Sequence, residues 1–241
     1  MRNILITGAN GGLGQAIAYE FLENTSDDYV WLGIHSRSDI VEQIHLKFPK
    51  RSSIIKLDVS HSNSWDNAVG HIASQGGSID VLVNNAGGHN DSLLATMTDD
   101  HWHKVMDLNL NGVFYGCRSV SKLMISQKFG RIINIASLSA LSAPLGQANY
   151  ASAKAGVVSL SRVLAKELAR AGVTVNAICP GYIDTEALSE MDENARKSAL
   201  TQIPMRRFGK PHEVSSAVRF LACPDAAYIT GSVVKIDGGI Y

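Results

Sequence analysis

The sequence predicts a single α/β domain over residues 1–241: a doubly wound parallel sheet with helices on both faces. Three observations lead there. Seven short apolar runs rich in β-branched residues recur along the chain, segments of helical periodicity separate them, and the runs are continuously apolar rather than alternating. Strands buried on both faces read this way, and such burial is characteristic of parallel sheets covered by helices.

The first strand is expected at Asn3–Thr7, followed by a glycine turn and a helix whose Leu13, Ala16, Ile17 and Phe21 share one face. Further strands are expected at Tyr29–His35, Ser53–Leu57, Ile79–Val83 and Arg131–Ala136. A long helix carries Val157, Leu160, Leu164 and Leu168 at helical spacing, and a sixth strand follows at Val173–Ile178. Residues 186–207, polar and containing methionine, break the alternation and form a candidate lid. A last helix near Pro211–Leu221 and a seventh strand at Val233–Ile236 complete the order. No low-complexity tract or repeat interrupts it, so right-handed crossovers are expected throughout.

Composition narrows the function. Lys+Arg and Asp+Glu both number 22, which removes the basic footprint of a nucleic-acid binder. No apolar run reaches the length that spans a bilayer, and the first strand begins too early to leave room for a signal peptide. Cys117, Cys179 and Cys223 are odd in number and widely spaced, which suits buried thiols in a reducing, cytoplasmic compartment. No metal site is expected: His101 and His103 are two apart on a helix start after Thr98-Asp99-Asp100 and cannot share a face. Ser137 lacks the Gly-x-Ser-x-Gly elbow of a serine hydrolase, and Cys179 beside Pro180 reads as small buried packing.

Thr7-Gly8-Ala9-Asn10-Gly11-Gly12-Leu13-Gly14 opens directly into a helix. Glycines there either make a tight strand-to-helix turn or let the backbone approach a pyrophosphate held by the helix N-terminus; the place after the first strand favours a dinucleotide. About 20 residues on, where many NAD sites carry a carboxylate, stand His35-Ser36-Arg37. Arg37 is either a 2′-phosphate ligand, making NADP(H) the preferred cofactor over NAD(H), or a solvated loop residue. Asp58-Val59, Asn84-Asn85-Ala86-Gly87, Ser137 and Pro180-Gly181 each follow a strand, so all would line one crevice at the carboxyl edge. Tyr150 and Lys154, four apart, stack on one helix face. A phenol of pKa ~10 needs help to act near neutrality, and a neighbouring ammonium, together with the positive nicotinamide of an oxidised cofactor, lowers it in the required direction.

Together, Thr7-Gly8-x-x-x-Gly12-x-Gly14, Asn84-Asn85-Ala86-Gly87, Ser137 and Tyr150-x-x-x-Lys154 resemble the short-chain dehydrogenase/reductase family over Ile4 to Gly239. The resemblance implies a Rossmann-type fold and a hydride transfer to a carbonyl. It implies that Tyr150 is the general acid, that Ser137 stabilises the oxygen, that Lys154 binds ribose, and that Asn109 holds a relay water. Pro180, Gly181, Ile183 and Thr185 match the segment that contacts the nicotinamide end. Gly146-Gln147-Ala148-Asn149-Tyr150 and Ile203 to Pro211 look most like 3-oxoacyl-(acyl-carrier-protein) reductases. That likeness implies an acyl-thioester substrate, fatty-acid biosynthesis, acyl carrier protein as a partner, and a homotetramer assembled through helices around 109–127 and 150–171. Ala155, Val158 and Ala165 suit such close helix packing. An NAD(P)-dependent dehydrogenase of a small alcohol, sugar or steroid is the alternative enzyme, and a non-catalytic dinucleotide sensor the alternative of another class. A basic rim of Lys128, Arg131, Arg162, Lys166 and Arg170 would steer an acidic carrier.

Overall fold

The computed structural model describes residues 1–36, 39–189 and 191–241. Arg37, on which the 2′-phosphate reading turns, lies outside the described residues.

The strands are β1 (Arg2–Thr7), β2 (Asp28–Ile34), β3 (Ser52–Lys56), β4 (Val81–Asn84), β5 (Gly130–Ile135), β6 (Val173–Pro180) and β7 (Val233–Ile236). All pair in parallel in the order β3-β2-β1-β4-β5-β6-β7. The chain builds outward from β1 in one direction to β3 and then in the other from β4 to β7. That reversal opens a crevice between the carboxyl ends of β1 and β4, where open α/β sheets bind ligands.

Ten α-helices are described: α1 (Gly12–Asn24), α2 (Asp39–Lys47), α3 (Ser62–Gly76), α4 (Asp99–Met106), α5 (Gly112–Gln127), α6 (Ser139–Ser142), α7 (Ala148–Leu168), α8 (Glu186–Ser189), α9 (Glu193–Gln202) and α10 (Pro211–Ala222). Strand residues alternate between two cores. Leu5, Leu82 and Ile132 pack on one face against Trp65, Val120 and Val157 of α3, α5 and α7. Ile4, Ile6, Val83 and Ile133 pack on the other against Phe21, Val41 and Val218 of α1, α2 and α10. Burying side chains of this size stabilises by about 1.5–3 kcal/mol each, so the two-faced strand pattern is what dictates the three layers.

Seven strands and the late helix lie where the sequence places them, with differences at the ends. β4 begins two residues late, because the Ile79 N–H donates to Gln127 Oε1 (3.2 Å) instead of to a neighbouring strand. β6 runs two residues longer, to Pro180. Two of the expected interface residues are used internally: Val158 and Ala165 lie in the core against the sheet. The apolar side chains left outward on these helices are instead Phe114, Ile125 and Val163. Thr98 caps α4 by accepting from the His101 N–H (3.2 Å), as the helix-start reading requires.

Candidate active site

The glycine turn is packed to its limit. A Cβ on Gly14 would stand 2.2 Å from the Gly8 carbonyl oxygen, and one on Gly8, at φ +63°, would stand 2.9 Å from Ala86 Cα. Helix α1 starts at Gly11 with no side chain capping its first N–H groups. A bare helix N-terminus of this kind suits an anion. Asn85 holds the turn rather than facing outward: its Nδ2 donates to the Thr7 (2.9 Å) and Gly8 (3.2 Å) carbonyls, while Thr7 Oγ1 accepts from the N–H groups of Asn85 and Ala86 at 2.9 Å each.

The crevice at this edge has a volume of about 840 Å³. It is lined from the turn by Gly8 and Asn10 to Gly14, from the ends of β3 and β4 by Asp58, Val59 and Asn85 to Gly87, and across from them by Pro180, Gly181, Ile183 and Thr185. Ser137, Tyr150 and Lys154 line it too, so these sequence-selected residues converge. Thr185 closes over the start of α1, with its Cβ 3.3 Å from where a Gly12 Cβ would be. At the end of β2 stands His35, whose Nε2 lies 3.4 Å from Asp58 Oδ2. Partial burial pushes the Asp58 carboxyl up, but hydrogen bonds from Ser60 and His61 and the proximity of His35 outweigh it and hold it below its usual range.

Asn109 does not line the crevice; it is fully buried behind it, in a π-helical turn at Asp107–Asn111. Its Nδ2 donates to the carbonyls of Gly88 (2.7 Å) and Val105 (2.9 Å). Gly87 lies between Asn109 and Lys154, because a Cβ there would meet Asn109 Oδ1 at 2.8 Å and Lys154 Nζ at 3.3 Å. Single π turns inside helices are frequent at functional sites, and here the extra residue turns Asn109 inward toward the loop after β4.

Tyr150 and Lys154 share the first turns of α7, with Nζ 5.6 Å from the phenol ring centre. Lys154, 3% exposed, donates to the Ile135 carbonyl at 2.9 Å. Burial lowers its pKa to about 8. Ser137 and the Tyr150 phenol both line the crevice, Ser137 lowering the phenol's pKa, and the Ser139 N–H donates to Ser137 Oγ at 3.1 Å. Within the chain itself, burial raises the Tyr150 pKa, Asp91 and Cys179 add to the rise, and Ser137 offsets only part. Desolvation disfavours phenolate more than a buried amine of weakened basicity can favour it. A protonated phenol is the form a proton donor needs. Cys179 is fully buried and its thiol pushed up by burial, in keeping with packing rather than reaction.

The basic rim is not found beside this crevice. Arg131 enters β5 at its amino end, opposite Val81 and Thr174 at the starts of their strands. Tyr150 heads α7, whereas Arg162 and Lys166 come 12 and 16 residues later, about 18 and 24 Å along the axis, and Arg170 lies beyond the helix end. Within one chain none of the five cations lines the crevice, although Arg162 is near enough to Cys179 at the end of β6 to offset part of the rise that burial causes in its pKa. Met191, which the sequence offers as a lining residue of an acyl channel, does line the crevice, with Gln147 and Tyr182 from the quoted motifs and Leu188 from the lid segment; His89, Asp91 and Ile240 line it too and were passed over. Asp91 and Gln147 each stand near motifs already singled out, but only folding brings them together. Among the described residues no group of three potential ligands could hold a metal, and no helix is long and apolar enough to cross a membrane.

Residues 8–241 match the family model described as enoyl-(acyl carrier protein) reductase. A 3-oxoacyl-(acyl-carrier-protein) reductase of Synechocystis is 41% identical over 98% of this chain and 95% of its own length. The 3-oxoacyl-(acyl-carrier-protein) reductase FabG of Staphylococcus epidermidis is 38% identical over 100% of this chain and 99% of its own, and that of Chlamydia pneumoniae 36% over 99% and 96%.

Proposed function

The chain belongs to the short-chain dehydrogenase/reductase family, and from that footing we propose that it reduces a 3-oxoacyl thioester, borne on an acyl carrier protein, to the 3-hydroxyacyl form. The observation that carries this reading is that Ser137, Tyr150 and Lys154 line one crevice with the glycine turn, Lys154 one turn from Tyr150 along α7 with its Nζ 5.6 Å from the phenol ring centre. Two hydroxyls converging on one place suit an oxygen that gains negative charge.

The cradle fits a nicotinamide dinucleotide: the glycine turn leaves room where a Cβ would collide, and the uncapped N–H groups of α1 suit its pyrophosphate. Such a cofactor, when bound in its reduced form, supplies the hydride. Tyr150 gives its phenolic proton to the substrate oxygen, and Ser137 donates a hydrogen bond to the same atom. Lys154 would hold the ribose hydroxyls and return a proton to Tyr150, and Asn109, behind Gly87, would hold a relay water. NADPH is the favoured partner, because the end of β2 offers His35 and, next along the chain, Ser36-Arg37 in place of a carboxylate.

Residues 184–208 leave and return at one place, where Asp184 N–H donates to the Gly209 carbonyl (2.8 Å) and Gly209 N–H to that of Tyr182 (2.9 Å). This excursion has its own small core of Leu188, Ala199, Ile203 and Phe208. We read it as a lid that covers the acyl chain, with Leu188 and Met191 facing the crevice. The outward Phe114, Ile125 and Val163 support a homotetramer built on α5 and α7, and the whole reading places the enzyme in the cytoplasm.

A second reading, reduction of a 2-enoyl thioester, draws on the description of the matching family model. Steady-state oxidation of NADPH and NADH against 3-oxoacyl thioesters, 2-enoyl thioesters and free ketones separates the readings. Turnover is expected with NADPH and the 3-oxoacyl thioester. Turnover confined to the enoyl thioester or to free ketones contradicts the proposal, and a preference for NADH contradicts the Arg37 reading.

A further inference from the structure

Behind the reacting pair runs a chain of side-chain hydrogen bonds that joins the loop after β4 to the head of α7. Gln147 Nε2 donates to Asp91 Oδ2 at 2.8 Å, and Ser139 Oγ donates to Gln147 Oε1, also at 2.8 Å. The Ser139 N–H then reaches Ser137 Oγ. The other carboxylate oxygen of Asp91 lies 3.3 Å from His89 Nδ1, and the His89 ring meets the Tyr150 ring edge-on, centres 6.1 Å apart.

We propose that Asp91 and Gln147 are positioning residues: together they form a strap that fixes the Ser137 hydroxyl and sets a carboxylate charge facing Tyr150. The proposal rests on the reductase reading of this site. It does not rest on folding, because the same loops are already joined by backbone. Ser92 N–H donates to the Gly146 carbonyl at 2.9 Å, Ser92 pairs with Gln147 in a parallel bridge, and Asn149 Nδ2 donates to the Asn90 carbonyl at 3.0 Å. The side-chain strap is thus additional to what holds the two segments together.

Its two ends do different work. Gln147 uses both ends of its amide, so it fixes the Ser139 turn and through it the direction of the Ser137 oxygen. Asp91 contributes charge: a carboxylate near a phenol disfavours phenolate, which keeps the proton in place for a carbonyl that arrives later. The other titratable groups facing Tyr150 are His89 on the loop of Asp91, Lys154 on α7 and Cys179 at the end of β6.

Two substitutions separate the two contributions. Asp91→Asn keeps an oxygen to accept from Gln147 but removes the charge. Gln147→Ala keeps the charge but cuts the strap. Phenol ionisation is read directly from tyrosinate ultraviolet absorbance after an alkaline pH jump, as the difference between each protein and the same protein carrying Tyr150→Phe. Asp91→Asn is expected to lower the Tyr150 midpoint by about half a pH unit, a modest shift because Asp91 is partly solvated. Gln147→Ala is expected to hold the midpoint or raise it, as Ser137 turns from the phenol, and to cut kcat about tenfold with KM little changed, as misplacement of an oxyanion donor does.

An unmoved midpoint in Asp91→Asn, or a wild-type kcat in Gln147→Ala, overturns the proposal. Thermal melts within a degree or two of wild type, which the backbone clasp predicts, tie any loss to the site rather than to the fold. The absorbance titration needs no substrate, so it judges Asp91 even where the 3-oxoacyl thioester proves to be the wrong substrate; kcat is then read on whichever carbonyl compound the panel shows to be reduced.

Discussion

At the amino edge of the sheet, Arg2 donates twice to Asp28, each bond 2.8 Å, and a third time to the Ala222 carbonyl. Asp80 there accepts from the Asn3 N–H and from Ser78, and Arg131 donates to the Gly130 and Gly172 carbonyls while stacking on Phe129. At the carboxyl edge, Lys154 is as deeply buried as Asp28 yet makes one hydrogen bond, to a carbonyl, and has no carboxylate partner among the described residues. The contrast is between Arg2 and Asp28, which neutralise each other, and Lys154, which like Arg131 meets only carbonyls and is lowered in pKa by burial. Breaking a buried pair leaves a stranded charge and costs stability, whereas a buried ammonium that has no counter-ion already carries that cost.

The largest expected effect on this contrast comes at the turn where the carboxyl edge begins. Gly14→Ala forces a methyl group onto the Gly8 carbonyl and is expected to destabilise by about 3 kcal/mol and to abolish dinucleotide binding. Urea unfolding and cofactor fluorescence titration would check both. At the opposite edge, Asp28→Ala strands the Arg2 guanidinium, which keeps some access to water. A loss of about 2 kcal/mol is expected, with kcat unaffected.

Lys154→Met sharpens the contrast with the opposite sign. Its pKa near 8 in the fold lies below that of an unfolded lysine, so between those values the unfolded chain binds more protons and stability rises with pH. Below pH 8 the full cost of the buried ammonium is present. Replacement is therefore expected to stabilise at pH 7 by about 1 kcal/mol, a gain that shrinks as pH climbs toward ~10, while turnover is lost. Thermal melts at the two pH values decide it. A destabilised Lys154→Met protein at pH 7 would show that the ammonium is compensated after all.

Most of the architecture was legible because burial on both faces writes itself directly into Ile4-Leu5-Ile6, Ile132-Ile133 and Val175 to Ile178. The residues proposed to react were legible for a different reason: Tyr150 and Lys154 are local, one helical turn apart, and the glycines of the turn are needed by close approach. What could not be read was long-range or electrostatic. Asp91 meets Gln147 across 56 positions, and nothing in either segment announces the pairing. The direction of the Tyr150 shift depends on burial, which spacing does not report. Arg131 and Arg170 looked like neighbours of Tyr150 because proximity along a helix or to a strand hides which edge of the sheet a residue occupies.

The account turns on the Tyr150 phenol as the proton donor. Its most direct test compares Tyr150→Phe with wild type for both reduction of the 3-oxoacyl thioester and NADPH affinity. The account predicts that kcat falls by about 10²–10⁴-fold while the dissociation constant for NADPH stays within about twofold. A variant that turns over at the wild-type rate, or that loses activity only because it no longer binds NADPH, would contradict it.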